Sequence, residues 1–513
     1  MNMLTRGTDA FATTLRAILQ VKMSDDDLMA SHSSDIGLDS LVSVNIRTWF
    51  LKHLQVGIPV LKIMGSDTMA NLVRLAVETM PPELTPNIDA SQKSSSSDTD
   101  TNPKSSSVPT TPEMFPASDE KLGFPHELAK TNHDGGASAT GINWEAESCP
   151  PADLANIPVA ADLPPPVTPP GMIVLTGASG LFGHHLLAYL LKHTSAQKII
   201  CIAIRNLAGR LDKGELPQPS QRVEYYEGDL SAPLLGLTPA EAASIFGAAD
   251  AVIHNGADTS HMKRYQDMRA SNVGSTIALT RLCLQRRVPL HFVSSVGLAI
   301  LYGGSAFPPV SVTSPGCALP AADGSFGYAG AKWTCERFLE RTHALYGGEW
   351  RVCIHRPSTI IREGADAVGE KANLDWVNAM IHYARKRKSV PIVQRNRGAL
   401  DLVHVQNACA DLVAHVVHDD ERMRRGEVSY VHQVGDVVLP LHQLQNIGLQ
   451  EPGGRPFDLL PMGDWITKAV ADGLHPAVAA LVEMMDEPGG PDYPRLLKNA
   501  PTSSPPAVDS SLP

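Results

Sequence analysis

Residues 172–193 read MIVLTGASGLFGHHLLAYLLKH, and this stretch decides the fold. A β-branched run of strand length, Met172 to Leu175, enters a turn carrying Gly177, Gly180 and Gly183, and an apolar helical pattern follows at once. Gly177 suits a tight turn, and Gly180 lets the backbone approach a pyrophosphate. Gly183 lets the helix pack closely on the strand, and the helix N-terminus faces the negative charge. A glycine pattern alone is weak, but here it sits between a strand and a helix as a dinucleotide turn requires. Thr176, Leu181 and Phe182 complete the turn and join the three glycines as candidate cofactor contacts.

Working outward, five further runs have strand character: KIICIAI (198–204), RVEYY (222–226), DAVIHN (250–255), LHFVSS (290–295) and WRVCIH (350–355). Each is followed by a helix or loop signal. Strands that alternate with helices predict an α/β fold, a parallel sheet covered on both faces and doubly wound in the Rossmann manner. The run 198–204 leads into Arg205, with no acidic residue beside it in sequence. A 2′-hydroxyl reader would be Asp or Glu there, whereas Arg suits a 2′-phosphate, so NADPH is expected over NADH, with Arg210 in support.

The sequence GYAGAKW places Tyr328 and Lys332 four residues apart on one predicted helix, hence on one face. A phenol is a weak acid at neutral pH, and a neighbouring ammonium draws its pKa down toward use. Ser295, at the end of LHFVSS, would donate a second hydrogen bond to a carbonyl oxygen. Ser294 is the alternative at that place. Taken with the glycine turn, the Ser–Tyr–Lys set resembles the extended short-chain dehydrogenase/reductase family. The stretches 253–283, 356–364, 374–393 and 398–405 narrow the likeness: from about Gly171 to Leu497 the chain resembles the terminal thioester reductase domains of fungal polyketide synthases and polyketide–peptide hybrids. That resemblance implies NADPH as cofactor and Ser295, Tyr328 and Lys332 as catalytic residues. It also implies that Asp229 and Leu230 border the adenine, that Asn255 and Gly256 line the cofactor, and that a smaller α/β substrate-binding subdomain after Thr359 forms an acyl tunnel.

The N-terminal 84 residues have a different pattern. Phe11, Leu15, Ile18 and Leu19 share a helical face, and Asp39-Ser40-Leu41 precedes another helix whose expected apolar face is Leu41, Val44, Thr48 and Phe50 or Leu51. Read by itself, Ser40 is a plausible helix cap. In context, residues 10 to 80 resemble a small four-helix acyl carrier protein of the fungal highly reducing polyketide type. The resemblance implies a 4′-phosphopantetheine arm on Ser40, installed by a phosphopantetheinyl transferase. Asn45 stands where a glutamate is common in that family.

Between the two units, residues 85–170 turn to Ser, Thr, Pro and Asp, and this composition predicts a disordered, flexible linker. Residues 498–513 read as a disordered tail. Across the 513 residues the net charge is −11, which argues against a broad nucleic-acid surface. No run approaches the ~20 apolar residues of a membrane span. Seven scattered cysteines without a C-x-x-C pair fit a reducing, cytoplasmic setting and no zinc site, and the histidines, His261 and His291 included, lack ligand spacing. The two halves together predict reductive release of a carrier-bound polyketide thioester to an aldehyde, with possible onward reduction to an alcohol. Non-redox Dieckmann cyclisation and a non-catalytic carrier/docking module are the alternatives. The chain has room for no loading domains, so upstream synthase modules, in cis or in trans, are its expected partners. The acyl chain and oligomeric state are not legible.

Overall fold

The computed structural model describes residues 11–13, 15–16, 23–31, 43, 46–47, 49–50, 53–54, 56, 58, 63, 68–78 and 80 of the N-terminal unit. It then describes residues 141–498 apart from 161, 262, 363–374, 419–420, 436, 451–452 and 487–491. Ser40 lies outside the described residues, as do Leu41, Val44 and Thr48.

The strands are β1 (Met172–Thr176), β2 (Lys198–Ile204), β3 (Val223–Glu227), β4 (Ala251–His254), β5 (Leu290–Val293), β6 (Ala306–Phe307) and β7 (Val352–Pro357). They continue with β8 (Thr359–Ile361), β9 (Ser389–Pro391), β10 (Ala399–His404), β11 (Ser429–Gln433), β12 (Val437–Pro440), β13 (Asp458–Leu460) and β14 (Arg495–Leu496). Seven of them form one sheet in the order β11-β7-β5-β4-β1-β2-β3, and every pairing in it is parallel. The six runs anticipated from sequence are all in this sheet. Strand order reverses between β1 and β4, and in open α/β sheets ligands bind outside the carboxyl ends of the strands at such a point. Both faces are covered, which is why most of the strands read as apolar runs: all six residues of β7 and all four of β4 are buried, the polar His254, His355 and Arg356 among them. One face packs on helices Pro239–Ala248, Ser275–Leu284 and Gly327–Leu345, the other on Leu181–His193 and Val405–Val417.

A second, smaller lobe carries its own core. The three-stranded sheet β12-β10-β8 and helices Trp376–Arg387, Met462–Ala471 and Pro476–Glu483 enclose Met380, Leu402, Trp465 and Val482. In the N-terminal unit, Phe11, Leu15, Ile46, Phe50, Leu72 and Val73 form a separate core, with Phe11 and Phe50 stacked at 4.9 Å. The buried face of its central helix passes through Ser43, Ile46 and Phe50. Of the face expected from sequence, Phe50 is the residue described there. No helix among the described residues is long and apolar enough to cross a membrane.

The expectation of a flexible linker reaching Pro170 is corrected for its last thirty positions, 141–170, most of which are described and packed against the large unit. Asn143 caps the turn Trp144–Glu147, and Trp144 is inserted edge-on against Tyr265 at 4.8 Å and Trp333 at 6.2 Å. The Tyr346 hydroxyl donates to the Leu154 carbonyl and accepts from the Ile157 N–H. The Asp250 carboxylate then gathers the N–H groups of Val167, Gly171 and Met172 at 3.0–3.1 Å. Single anchors hold this strap, so it has no periodicity to betray it.

Candidate active site

Gly177 ends β1 at φ +72°, in the left-handed region. A Cβ there would meet the Gly256 Cα at 2.6 Å, and one on Gly183 would meet the Gly177 carbonyl oxygen at 1.9 Å. Gly180 differs: its added Cβ would have 3.2 Å to that same oxygen. The first and third glycines are thus demanded by the protein's own packing, and the second keeps the surface open toward a ligand. Asn255 Nδ2 donates to the Gly177 carbonyl at 3.2 Å and locks the turn to the end of β4. Thr176 is placed differently from expectation. Its buried hydroxyl accepts from the Gly256 N–H at 2.9 Å and meets His254 Nδ1 at 2.8 Å, so it braces the loop from beneath.

The helix Leu181–His193 starts at this turn and points its unpaired N–H groups into a cavity of about 660 Å³. Gly177, Gly180, Leu181, Phe182, Arg210, Asn255 and Gly256 line its first part. Leu230 lies behind it against Gly256. This cradle, open at Gly180 and headed by a helix N-terminus, fits a dinucleotide pyrophosphate. Arg210 is held at the wall by donating to the Arg205 carbonyl at 2.9 Å and pairing with Glu215 at 2.7 Å. Arg205, 77% exposed, has an acidic neighbour in space that its sequence surroundings conceal: Asp229 Oδ2 lies 3.6 Å from its Nε. Hydrogen bonds from Ser231 hold the Asp229 carboxyl below the usual range, with Arg205 adding to the effect. A register shift between Cys201 and Ile204 of β2 precedes Arg205, and such bulges re-aim the residues after them.

Ser295, Tyr328 and Lys332 converge on the same cavity. Tyr328 and Lys332 are one turn apart on helix Gly327–Leu345. The Lys332 ammonium donates to the Val293 carbonyl at 2.7 Å and lies 5.7 Å from the Tyr328 ring centre. Burial lowers its pKa to about 8. Burial also pushes the Tyr328 phenol up to about 12, while a hydrogen bond with Ser295 draws it back. Ser295 Oγ accepts from the Gly297 N–H at 2.9 Å, which fixes it at the head of the turn Val296–Leu301. Ser294 also borders the cavity, and its buried hydroxyl has no hydrogen-bond partner among the described residues. Behind them the Asn272 amide clamps both backbone groups of Asp258 from a π-helical turn, 270–274.

Sequence reasoning missed other parts of the wall. His261, singled out in the sequence only as lacking ligand spacing, lines the cavity with its ring centre 5.2 Å from that of Tyr328. Trp376, Leu400, Leu481, Met484 and Tyr493 extend the cavity as an apolar wall supplied by the smaller lobe. The loop signal before His261 said nothing of its direction, and the lobe's residues come together only in the tertiary fold. Three-dimensional packing also groups His291, Cys353 and His355, with potential ligand atoms within 4.8 Å of one another, a grouping that the sequence spacing did not suggest. Both ring nitrogens of His355 are engaged, one by His291 Nδ1 at 3.1 Å and one by Gln433 at 2.9 Å.

Comparison with known proteins agrees with this geometry. Residues 175–412 match the male sterility protein family of NAD-binding domains, and residues 9–76 match the phosphopantetheine attachment site family. The chain therefore combines a phosphopantetheine carrier domain with an NAD(P)-binding reductase domain of the kind carried by fungal polyketide synthases. It is 46% identical over 96% of its length to the highly reducing polyketide synthase bet1 of Neocamarosporium betae, and 44% identical over 95% to sthA of Phaeosphaeria nodorum. It spans 17% of the length of each of those relatives. Among solved structures, the terminal R domain from the myxalamid pathway aligns at 23% identity with a TM-score of 0.54, covering 70% of this chain and 89% of that one. A thiolation–reductase di-domain from an archaeal non-ribosomal peptide synthetase gives 12% identity and a TM-score of 0.56 over 94% of this chain and 89% of that one. These two likenesses concern the fold.

Proposed function

We propose that the chain releases an acyl group from its own carrier by reducing the thioester with NADPH. The observation that carries this reading is a single cavity with a dinucleotide cradle at one end, Ser295, Tyr328 and Lys332 between, and an apolar wall at the other. Bound NADPH supplies the hydride that reduces the thioester carbonyl carbon. The hydroxyls of Ser295 and Tyr328 hold the carbonyl oxygen as charge develops on it, where fixed donors contribute most. Tyr328 then gives that oxygen its proton, and Lys332 keeps the proton transfer downhill by stabilising the phenolate. Carbon–sulfur cleavage of the resulting hemithioacetal, its hydroxyl proton passing to the departing sulfur, yields an aldehyde and frees the pantetheine thiol on Ser40. Burial outweighs the lowering expected from the ammonium, so the phenol keeps its proton at neutral pH and yields it only to a strongly basic oxygen.

Arg210 on the wall and Arg205 beside it favour NADPH over NADH. The acyl group comes from upstream polyketide synthase modules, and a phosphopantetheinyl transferase primes Ser40. All seven cysteines are free, which suits the reducing cytoplasm.

The test loads the holo chain with a model acyl group, adds NADPH, and follows nicotinamide absorbance together with product mass. Stoichiometric oxidation with an aldehyde or alcohol, lost in Tyr328→Phe, is the expected result. Release of a cyclised product without NADPH oxidation would move the chain to the Dieckmann class.

A further inference from the structure

An ion pair joins the carrier to the reductase: Arg47 Nη1 lies 2.5 Å from Glu483 Oε2, with side chains 18% and 20% exposed. It is more closed than the surface pair Lys198–Glu224, which keeps 42% and 38%, and comparable to Arg387–Asp472, which joins two helices and keeps 26% and 28%. Exposed pairs contribute little, whereas a carboxylate shut away from water needs a cation against it. Burial raises the Glu483 pKa and the Arg47 guanidinium opposes that rise. With the carrier in place, Glu483 is withdrawn from water and Arg47 is the cation set against it.

Its position gives the contact a purpose. Glu483 closes helix Pro476–Glu483, and its neighbours Leu481 and Met484 line the apolar end of the cavity. One short segment thus meets the carrier and borders the acyl site. On the carrier side, Ser43, Ile46 and Phe50 are buried in the domain's own core, while Arg47 is left on the flank of the helix. Ser40 precedes Arg47 by seven residues, and a chain of that length spans at most about 25 Å in any conformation.

We propose that Arg47 and Glu483 are the docking pair by which this chain's carrier seats on the smaller lobe of the reductase, holding Ser40 within reach of the apolar end of the cavity. This rests on the reading that the carrier delivers the thioester. The experiment uses the full holo chain in four forms: parent, Arg47→Glu, Glu483→Arg and the double exchange. Single-turnover release from the loaded carrier is compared with NADPH-dependent turnover of a free N-acetylcysteamine thioester, which needs no docking. Each single exchange should slow carrier-bound release by about tenfold or more and leave the free thioester rate unchanged, and the double exchange should recover most of the loss. Single variants as fast as the parent, or a double variant as slow as the singles, would overturn the docking pair. Failure of the parent to consume NADPH on either substrate would instead overturn reductive release, so the two readings fail separately.

Discussion

The ring of Trp144 packs against Gly330, the residue midway between Tyr328 and Lys332. A Cβ at Gly330 would come within 2.9 Å of the Trp144 Cη2. The helix that carries Tyr328 and Lys332 is thus shaped around a side chain from a segment whose composition reads as linker. Trp144→Ala leaves a hole beneath that helix and should destabilise the reductase by about 3–5 kcal/mol. Chemical denaturation followed by tryptophan-independent circular dichroism measures it. A chain truncated at 171 should share the defect, and one truncated at 141 should not.

Two glycines of one turn should fail in different ways. Gly183→Ala drives a methyl into the Gly177 carbonyl and should prevent stable folding. Gly180→Ala has nearly enough room and should fold, yet bind NADPH about tenfold or more weakly because its methyl faces the pyrophosphate. Melting curves and cofactor titration on the two variants separate these outcomes.

Lys332 holds its proton at a cost. Its folded pKa of about 8 lies below the ordinary lysine value, so the unfolded chain binds that proton more tightly. The penalty is full below pH 8 and fades as pH rises toward 10.5. Lys332→Met should therefore stabilise the fold at pH 7 by about 1–2 kcal/mol, after allowing for the Val293 carbonyl left without its donor. The gain should vanish near pH 10.5, and turnover should be lost at every pH. A variant no more stable than the parent at pH 7 would contradict the buried ammonium. In the parent, kcat/KM should fall as pH rises through about 8.

Acid should weaken the reductase before its carboxylates titrate. Burial lowers His254, His291 and His432 to about 3 each, so all three stay neutral in the fold while the unfolded chain protonates them. Their folded pKa values are depressed, and stability is lost as pH falls from 6.5 toward 3. Each group adds up to about 1.4 kcal/mol per pH unit in that window. Denaturation midpoints from pH 7 to pH 4.5, with proton uptake on unfolding, would show this slope or refute it.

Cofactor choice should depend on the two arginines after β2. The double variant Arg205→Ser, Arg210→Ser should raise KM for NADPH about tenfold and leave KM for NADH little changed, since the 2′-phosphate alone needs them. Asp229 competes for Arg205, so Arg210, already set in the cavity wall, should carry the greater share when the arginines are changed singly.

Most of the sheet was legible because its strands are buried on both sides and read as β-branched runs. The seventh strand, SYVHQ, was not: polar Ser429, His432 and Gln433 are buried in it, and their hydrogen-bond partners are remote in sequence. The glycine turn and the Ser–Tyr–Lys set follow local rules of spacing, and they arrived at one cavity. His261, Trp376 and Tyr493 obey no such rule, since each reaches the cavity only because of how distant elements pack. Asp229 illustrates the same limit, lying 24 positions after the arginine it faces.

The cavity's two ends come from separate stretches of sequence, 177–332 and 357–496, and this partition bears on how such an enzyme is altered. On the proposed function, a change at Trp376, Leu400, Leu481, Met484 or Tyr493 remodels the space for the acyl chain without disturbing the glycine turn or Tyr328. Chain-length preference is then a trait that can drift, or be bred, one apolar side chain at a time. A library confined to those five positions samples substrates while inheriting an intact hydride machine.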